Sequence, residues 1–510
     1  MSEQAMESGT TASNPLEINM LDLRPALLLF FLPILLMTLL VLIINGGTLI
    51  YTLDDPYIHI DLARRIFNGH YGINPQEFSA PSSSIIWPFL LAPFTPLGSA
   101  MLWVPFVLNL VFSFLTFSLF NQLLQGVRLG HRLLILGGWF LATNFYGLIF
   151  NGMEHCLQIY LVTVIAIGVL NKEFHGVAVT ATKVYLAVLA LPLVRYEGLA
   201  ISLPVLLYLL CKGERLKPFI YGAALVAAVS LFSLFLSHLG LGYLPSSVIA
   251  KSDTTGLSSL AMNVIGQFEK YGWIILAMLV MCALMPERKV FVLLLLAVTG
   301  LHAVFGKNGW FGRYEIYWLT FLGVFFLYAC LRHLKERTVA IIFGLLPLAF
   351  AQLVYTTMAT PLASAAVYNQ QYPMSQIAQR LNAPVAVNDL GLVALNSRQY
   401  VLDLWGLGNL EALKLRKSAS GSGWIKGLME RDNVHYAFVY DEWFPEHPDN
   451  WIKVGNLHMQ IPKIATAFSD VAFYATDATS AQTLKEVMQG YALEHPTGKY
   501  VFEYGNGTQN

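Results

Sequence analysis

Apolar residues run in long, nearly unbroken blocks as far as residue 358 and in short alternating stretches beyond it, and this change of rhythm divides the chain. The first block, Ala26–Ile50, is long enough at about 1.5 Å per residue to cross roughly 30 Å of hydrocarbon. Further blocks lie near 101–123, 133–150, 155–170, 177–194, 197–211, 218–239, 272–285, 289–305, 316–331 and 338–358, which makes eleven expected crossings. SIIWPFLLAPF, residues 84–94, is too short to span and is interrupted by Pro88 and Pro93, so it reads as interfacial or re-entrant. After residue 358, PVAVND (384–389), YVLDLWGL (400–407) and HYAFVYDEW (435–443) have the pattern of buried strands. They alternate with helical stretches near 374–382, 422–431 and 480–489. The expected architecture is a polytopic α-helical membrane protein with a C-terminal soluble α/β domain. Its parts are a polar, disordered cytoplasmic N-terminus (1–24), a transmembrane domain (25–358) and an extracytoplasmic domain (359–510).

Composition agrees. Hydrophobic residues make up 56% of the chain, charged residues 12%, the mean hydropathy is +0.56 and the net charge is zero, whereas a soluble domain carries about a quarter charged residues. The neutral balance excludes the basic stripe of a nucleic-acid binder. The first span lacks a small-residue cleavage site and reads as an uncleaved signal anchor.

Lys and Arg collect in short cytoplasmic loops, and QGVRLGHR, CKGERLK, PERK, LRHLKER and the weaker NKEFH all fall on one side when the blocks alternate. Counting 84–94 as a full crossing would put basic loops outside. With the basic loops inside, Asp54, Asp55, Glu154, Arg195, Glu197, Lys251, Lys307 and Arg313 all face outward, beside the C-terminal domain. The four cysteines (156, 211, 282 and 330) lie in or beside spans and imply no disulfide framework. No repeat, phosphate-cradling glycine loop or metal-ligand spacing stands out, and the sequon Asn506-Gly507-Thr508 is read as chance.

Local rules account for part of this set. Asp55 before Pro56 reads as a helix N-cap, with a helix over 56–68 closed by Gly69. Ile58, Leu62 and Ile66 would face the membrane interface, opposite His59, Asp61, Arg64 and Arg65. Glu154 opens a span, where a carboxylate complements the helix dipole, while Arg195 and Glu197 could neutralise each other. Asp54 has no local explanation, which makes it the first choice for chemistry. Cations beside these carboxylates suit a phosphate, and arginine binds phosphate as a fork.

The run LDDPYIHIDLARRIFNGHYGINPQEFSAPSSSIIWPFLLAPF, with GMEH, RYEGL, LPSSVIAK, GRY and NDLGLVALNSRQYVLDLWGL, resembles the membrane glycosyltransferases of the GT-C fold that use polyprenyl-phosphate sugars, in particular arabinofuranosyltransferase-like and protein mannosyltransferase-like members. The resemblance implies an inverting transfer to an extracytoplasmic glycan, lipid or protein acceptor, in a bacterial inner membrane with a periplasmic active site. It implies Asp54 as the catalytic acid, Asp55 as its neighbour and Glu154 as an acceptor-orienting acid. Arg195, Glu197, Lys251 and Arg313 become the donor-phosphate or substrate contacts. The resemblance assigns no cofactor and leaves room for a divalent cation. Histidine after Glu154 and RYEG in place of a proline-containing form depart from the pattern. A lipid-linked oligosaccharide ligase of similar fold is a second reading. A secondary transporter is a third, disfavoured by acids at the span ends and by the absence of repeats.

Overall fold

The structure, a computed structural model, describes residues 20–177, 182–251 and 256–505. The sequon and most of the polar N-terminus therefore lie outside the described residues. Among these, six helices are long and apolar enough to cross a membrane. A seventh candidate is the pair Glu336–Ala349 and Ala351–Met358, bent by 73°. Four apolar helices of 10–17 residues, Leu129–Ala142, Thr182–Val194, Tyr196–Cys211 and Lys289–Phe305, accompany them. Over the described residues each expected block coincides with helix, but not all as full spans. The 133–150 block breaks at Asn144, which is left-handed (φ 49°) and begins a separate helix, Phe145–Ile149. The 84–94 segment forms a short helix, Trp87–Leu91, and runs through 3-10 turns into the Val104–Leu123 helix with a break at Gly98.

The C-terminal part contains a mixed six-stranded sheet: β1 (Val385–Val387), β2 (Val401–Asp403), β3 (Tyr436–Val439), β4 (Ile452–Met459), β5 (Asp470–Ala475) and β6 (Tyr500–Tyr504), in the order β2-β1-β3-β5-β4-β6. β1 pairs in parallel with β2 and β3, and the other pairs are antiparallel. The three expected strands are β1, β2 and β3. β4 and β6 escaped the reading because they mix intermediate, exposed and buried positions, so their apolar signal is diluted.

The acidic segment sits at the seam between the two parts. Its helix runs Asp55–Phe67, with Pro56 in the first turn. The position preceding the helix is Asp54, not Asp55, and the Asp54 carboxylate does not cap it. The expected interfacial placement is also corrected. Ile58 and Leu62 pack into one apolar cluster with Met374, Ile377, Val385 and Val393 of the C-terminal part, and His59 and Asp61 on the other face are buried as well. The helix is a wedge between domains because its apolar stripe meets protein rather than lipid. The loop after it binds along the sheet edge, where Asn74 Nδ2 donates to Val401 O (2.9 Å) and Asn74 Oδ1 accepts from Val401 N (3.0 Å). Lys499 Nζ donates to Ile44 O at the end of the first membrane helix (2.7 Å), closing the seam from the far side.

Candidate active site

Asp54 and Asp55 are adjacent in sequence and have opposite surroundings. The Asp54 carboxylate accepts two backbone N–H groups from the start of the Gly391–Asn396 helix, from Gly391 to Oδ2 (2.5 Å) and from Leu392 to Oδ1 (2.9 Å). The approach is so close that a Cβ at position 391 would stand 2.1 Å from Asp54 O, which only glycine avoids. Burial, followed by the negative charge of Asp389, pushes the Asp54 carboxyl above the usual carboxylate range, against the pull of the two amides. Asp389, just past the end of β1, is raised chiefly by burial too; it accepts from Tyr440 OH (2.5 Å) and Gln371 Nε2 (2.9 Å).

Asp55 Oδ2 instead accepts from Arg313 Nη2 (2.6 Å). The side chain of Asp55 is 23% exposed, that of Arg313 1%, and Asp55 lines a small cavity with His59, Ser83, Met153 and Leu407. The Arg313 Nη2 also reaches Tyr314 OH (3.2 Å), whereas its Nε and Nη1 are buried without a hydrogen-bond partner. A buried guanidinium with two empty donor positions is expensive unless something fills them.

Arg195 is the counterexample. Its Nη1 donates to Glu154 Oε1 (2.7 Å) and Ser83 Oγ (3.4 Å), Nη2 to Glu197 Oε1 (2.9 Å) and Nε to Glu197 Oε2 (3.3 Å), so all three nitrogens are engaged. Glu154 is fully buried, and its Oε2 has no hydrogen-bond partner but stands 4.0 Å from His59 Nε2. The Tyr314 ring links the two ion-pair groups, lying 5.4 Å from the Arg195 guanidinium and 5.0 Å from that of Arg313.

Of the expected site residues, Asp54, Asp55, Glu154, Arg195, Glu197 and Arg313 thus converge on one seam. The Lys251 side chain lies outside what the structure describes, although its backbone ends the Ser246–Lys251 helix. Among the described residues no group of three or more His, Cys, Asp or Glu side chains could hold a metal.

Sequence reading missed His59, Ser83, Tyr314 and Asp389. Asp389 alone carried a usable signal, an acid just past the end of a strand and two residues before a glycine. Leu407 enters the cavity because Asp403 accepts from the backbone N–H groups of Trp405, Gly406 and Gly408 (2.9, 3.1 and 2.7 Å), and the turn they form brings the residue inward.

A family profile described as a domain of unknown function, DUF8728, matches residues 363–476. No curated protein matches the sequence. Among solved structures, ArnT from Cupriavidus metallidurans bound to undecaprenyl phosphate is similar at 12% identity and TM-score 0.48, over 88% of this chain and 98% of that one. The Archaeoglobus fulgidus oligosaccharyltransferase is similar in its apo form at 10% identity and TM-score 0.43, over 88% of this chain and 74% of that one. Its complex with Zn and sulfate matches at 12% identity and TM-score 0.43, over 88% and 73%. Likeness at this level assigns no activity.

Proposed function

We propose that this chain is a membrane glycosyltransferase of the GT-C type that moves a sugar from a polyprenyl phosphate to an acceptor hydroxyl by inverting displacement on the extracytoplasmic face. The observation that carries this reading is Arg313, whose buried guanidinium holds Asp55 through Nη2 and keeps Nε and Nη1 unfilled beside it. Nε and Nη1 flank Nη2 on opposite sides of the guanidinium, so each can donate singly to an anionic oxygen, and the fixed positive charge favours a phosphate. In this reading Asp55 takes the proton from the acceptor hydroxyl as that oxygen attacks the anomeric carbon. The bond from that carbon to the phosphate oxygen breaks, and the lipid phosphate leaves with the electron pair, its charge met by Arg313.

Asp54 then serves as the tether that draws the Gly391–Asn396 helix onto the site, and Glu154, held by Arg195, helps orient the acceptor behind His59 and Ser83. Lys251 and Glu197 complete the donor side. The reading places the protein in a bacterial inner membrane, with residues 359–510 as a periplasmic domain.

The test is transfer of labelled sugar by purified full-length protein, from polyprenyl-phosphate sugars and from nucleotide sugars, to a cell-envelope acceptor fraction. Transfer from the lipid donor alone, abolished in Asp55→Asn, is the expected result; transfer from nucleotide sugars alone would sink the proposal. Mass spectrometry of the co-purified lipid separates a monosaccharide donor from the longer glycan that an oligosaccharide ligase would carry.

A further inference from the structure

Beside the Asp55–Arg313 pair lies a second cavity, a cleft of about 290 Å³. One wall is Leu53, Trp310 and Phe311; the other is Trp443, Thr466 and Phe468 of the C-terminal part. Leu53 and Phe311 each stand two residues before a member of the ion pair, so cleft and site share both loops.

Three observations show a built site rather than a packing gap. Trp310 is 52% exposed although it belongs to a loop whose neighbours are held tightly. That loop is left-handed over four consecutive residues, Gly309, Trp310, Phe311 and Gly312 (φ 82°, 46°, 65° and 62°). Such φ values are unfavourable for residues with side chains and persist where the surroundings enforce them. Here Asn144 Nδ2 donates to Phe311 O (2.8 Å), and Gly309 N donates to Glu315 Oε2 (2.9 Å), whose other oxygen accepts from Tyr271 OH (2.6 Å). Finally, Thr466 is 7% exposed and its Oγ1 is buried without a hydrogen-bond partner.

We infer that this cleft is an acceptor subsite that takes one neutral sugar ring, stacked on Trp310 and Trp443 and hydrogen-bonded to Thr466. The inference rests on the transferase reading and names its acceptor side. The lining carries no charged side chain, which disfavours a phosphate or an ionised peptide. A hydrocarbon tail would leave the Thr466 hydroxyl unsatisfied. A sugar supplies both needs, since its polarised C–H face meets the negative face of an aromatic ring and its hydroxyls pair with Thr466. The volume, at the low end of ligand pockets, suits one ring. The acceptor hydroxyl would then reach Asp55 from a ring held by rigid aromatic walls.

The test uses detergent-solubilised full-length protein on an array of neutral, lipid-free oligosaccharides, with undecaprenyl phosphate binding measured by native mass spectrometry on the same samples. Trp310→Gly suits the left-handed backbone and should fold, as should Thr466→Val, each verified by its melting temperature. Wild-type protein should bind at least one saccharide. Each variant should weaken that binding by tenfold or more while binding undecaprenyl phosphate within about twofold of wild type. Saccharide binding that is absent from wild type, or unchanged in both variants, overturns the subsite and leaves the donor reading intact. Wild-type protein that fails to bind undecaprenyl phosphate overturns the transferase reading itself, and the subsite with it.

Discussion

The two ends of the His155–His175 helix each hold a buried glutamate among cations, and only one of them is complete. Glu154 and Glu173 are nineteen residues apart on this element, so at about 1.5 Å per residue they stand close to a membrane thickness apart. At the far end, Glu173 Oε1 accepts from Arg288 Nη1 (2.9 Å), and Oε2 accepts from Lys212 Nζ (2.8 Å) and Tyr208 OH (2.6 Å). Arg288 Nη1 also donates to the Glu173 carbonyl (2.7 Å). At the near end Glu154 Oε2 has no hydrogen-bond partner, nor do Nε and Nη1 of Arg313 nearby. The Glu173 cations are also more exposed, Arg288 by 26% and Lys212 by 30%, against 4% for Arg195 and 1% for Arg313, so the two clusters differ in meaning. A cluster whose donors and acceptors are all spent holds helices together, whereas one with donors left over is built to receive something.

The sharpest way to break this comparison is to neutralise a carboxylate at each end. Asp55→Asn keeps an oxygen for Arg313 and so should keep the fold while losing turnover by on the order of a hundredfold or more, the scale of general-base removal. Glu173→Gln should leave turnover near wild type and lower the melting temperature, since it weakens charge-assisted bonds worth about 1.5–3 kcal/mol each. Sugar-transfer assays beside thermal melts decide the point, and the opposite pattern would exchange the roles of the two clusters.

A smaller effect separates the two arginines. Arg313→Lys keeps a charge but loses the Nε and Nη1 donors, so donor KM should rise by about tenfold with little change in stability. Arg195→Lys should instead lower stability, because Glu154 and Glu197 lose bonds they already have. Equal effects on donor KM would place both arginines on the phosphate.

Asp54→Asn sharpens the contrast within the acidic pair. An amide offers one acceptor oxygen where two backbone N–H groups need partners, so an N–H of Gly391 or Leu392 would face an NH₂ group. The expected result is loosened docking of the C-terminal part, read as faster hydrogen exchange over 391–396, with a stability loss of roughly 1–3 kcal/mol. Unchanged exchange with lost turnover would return the base to Asp54.

The smallest effect concerns pH. Asp61, buried in the wedge helix with Arg65 3.9 Å away, is pushed up to about 7 because burial outweighs the attraction of Arg65 and Arg64. Its native carboxyl therefore holds a proton that the unfolded chain releases near pH 4. The associated stability is present below pH 4 and is lost as pH rises toward 7. Asp61→Asn should accordingly raise the melting temperature at pH 8 and leave it unchanged at pH 4. A gain at both pH values would locate the effect in packing.

Much of this molecule was legible along the chain because its signals are local. Blocks of apolar residues mark helices wherever they fall, Pro56 marks a first helical turn, and an acidic pair between a long apolar block and that proline stands out as expensive and therefore purposeful. The same reading placed six of the seven expected site residues on what proves to be one seam. By local rules it gave the chemistry to Asp54 and the helix cap to Asp55, and it had no view of the long-range partners that set these two neighbours apart. Their partners, Gly391 and Leu392 for one and Arg313 for the other, lie 337, 338 and 258 residues away. A helix cap depends on neighbours a turn away and can be read from them, but a hydrogen bond across a domain seam exists only once two independently formed elements have packed. That packing decided which carboxylate became a tether and which was left beside a guanidinium with donors to spare.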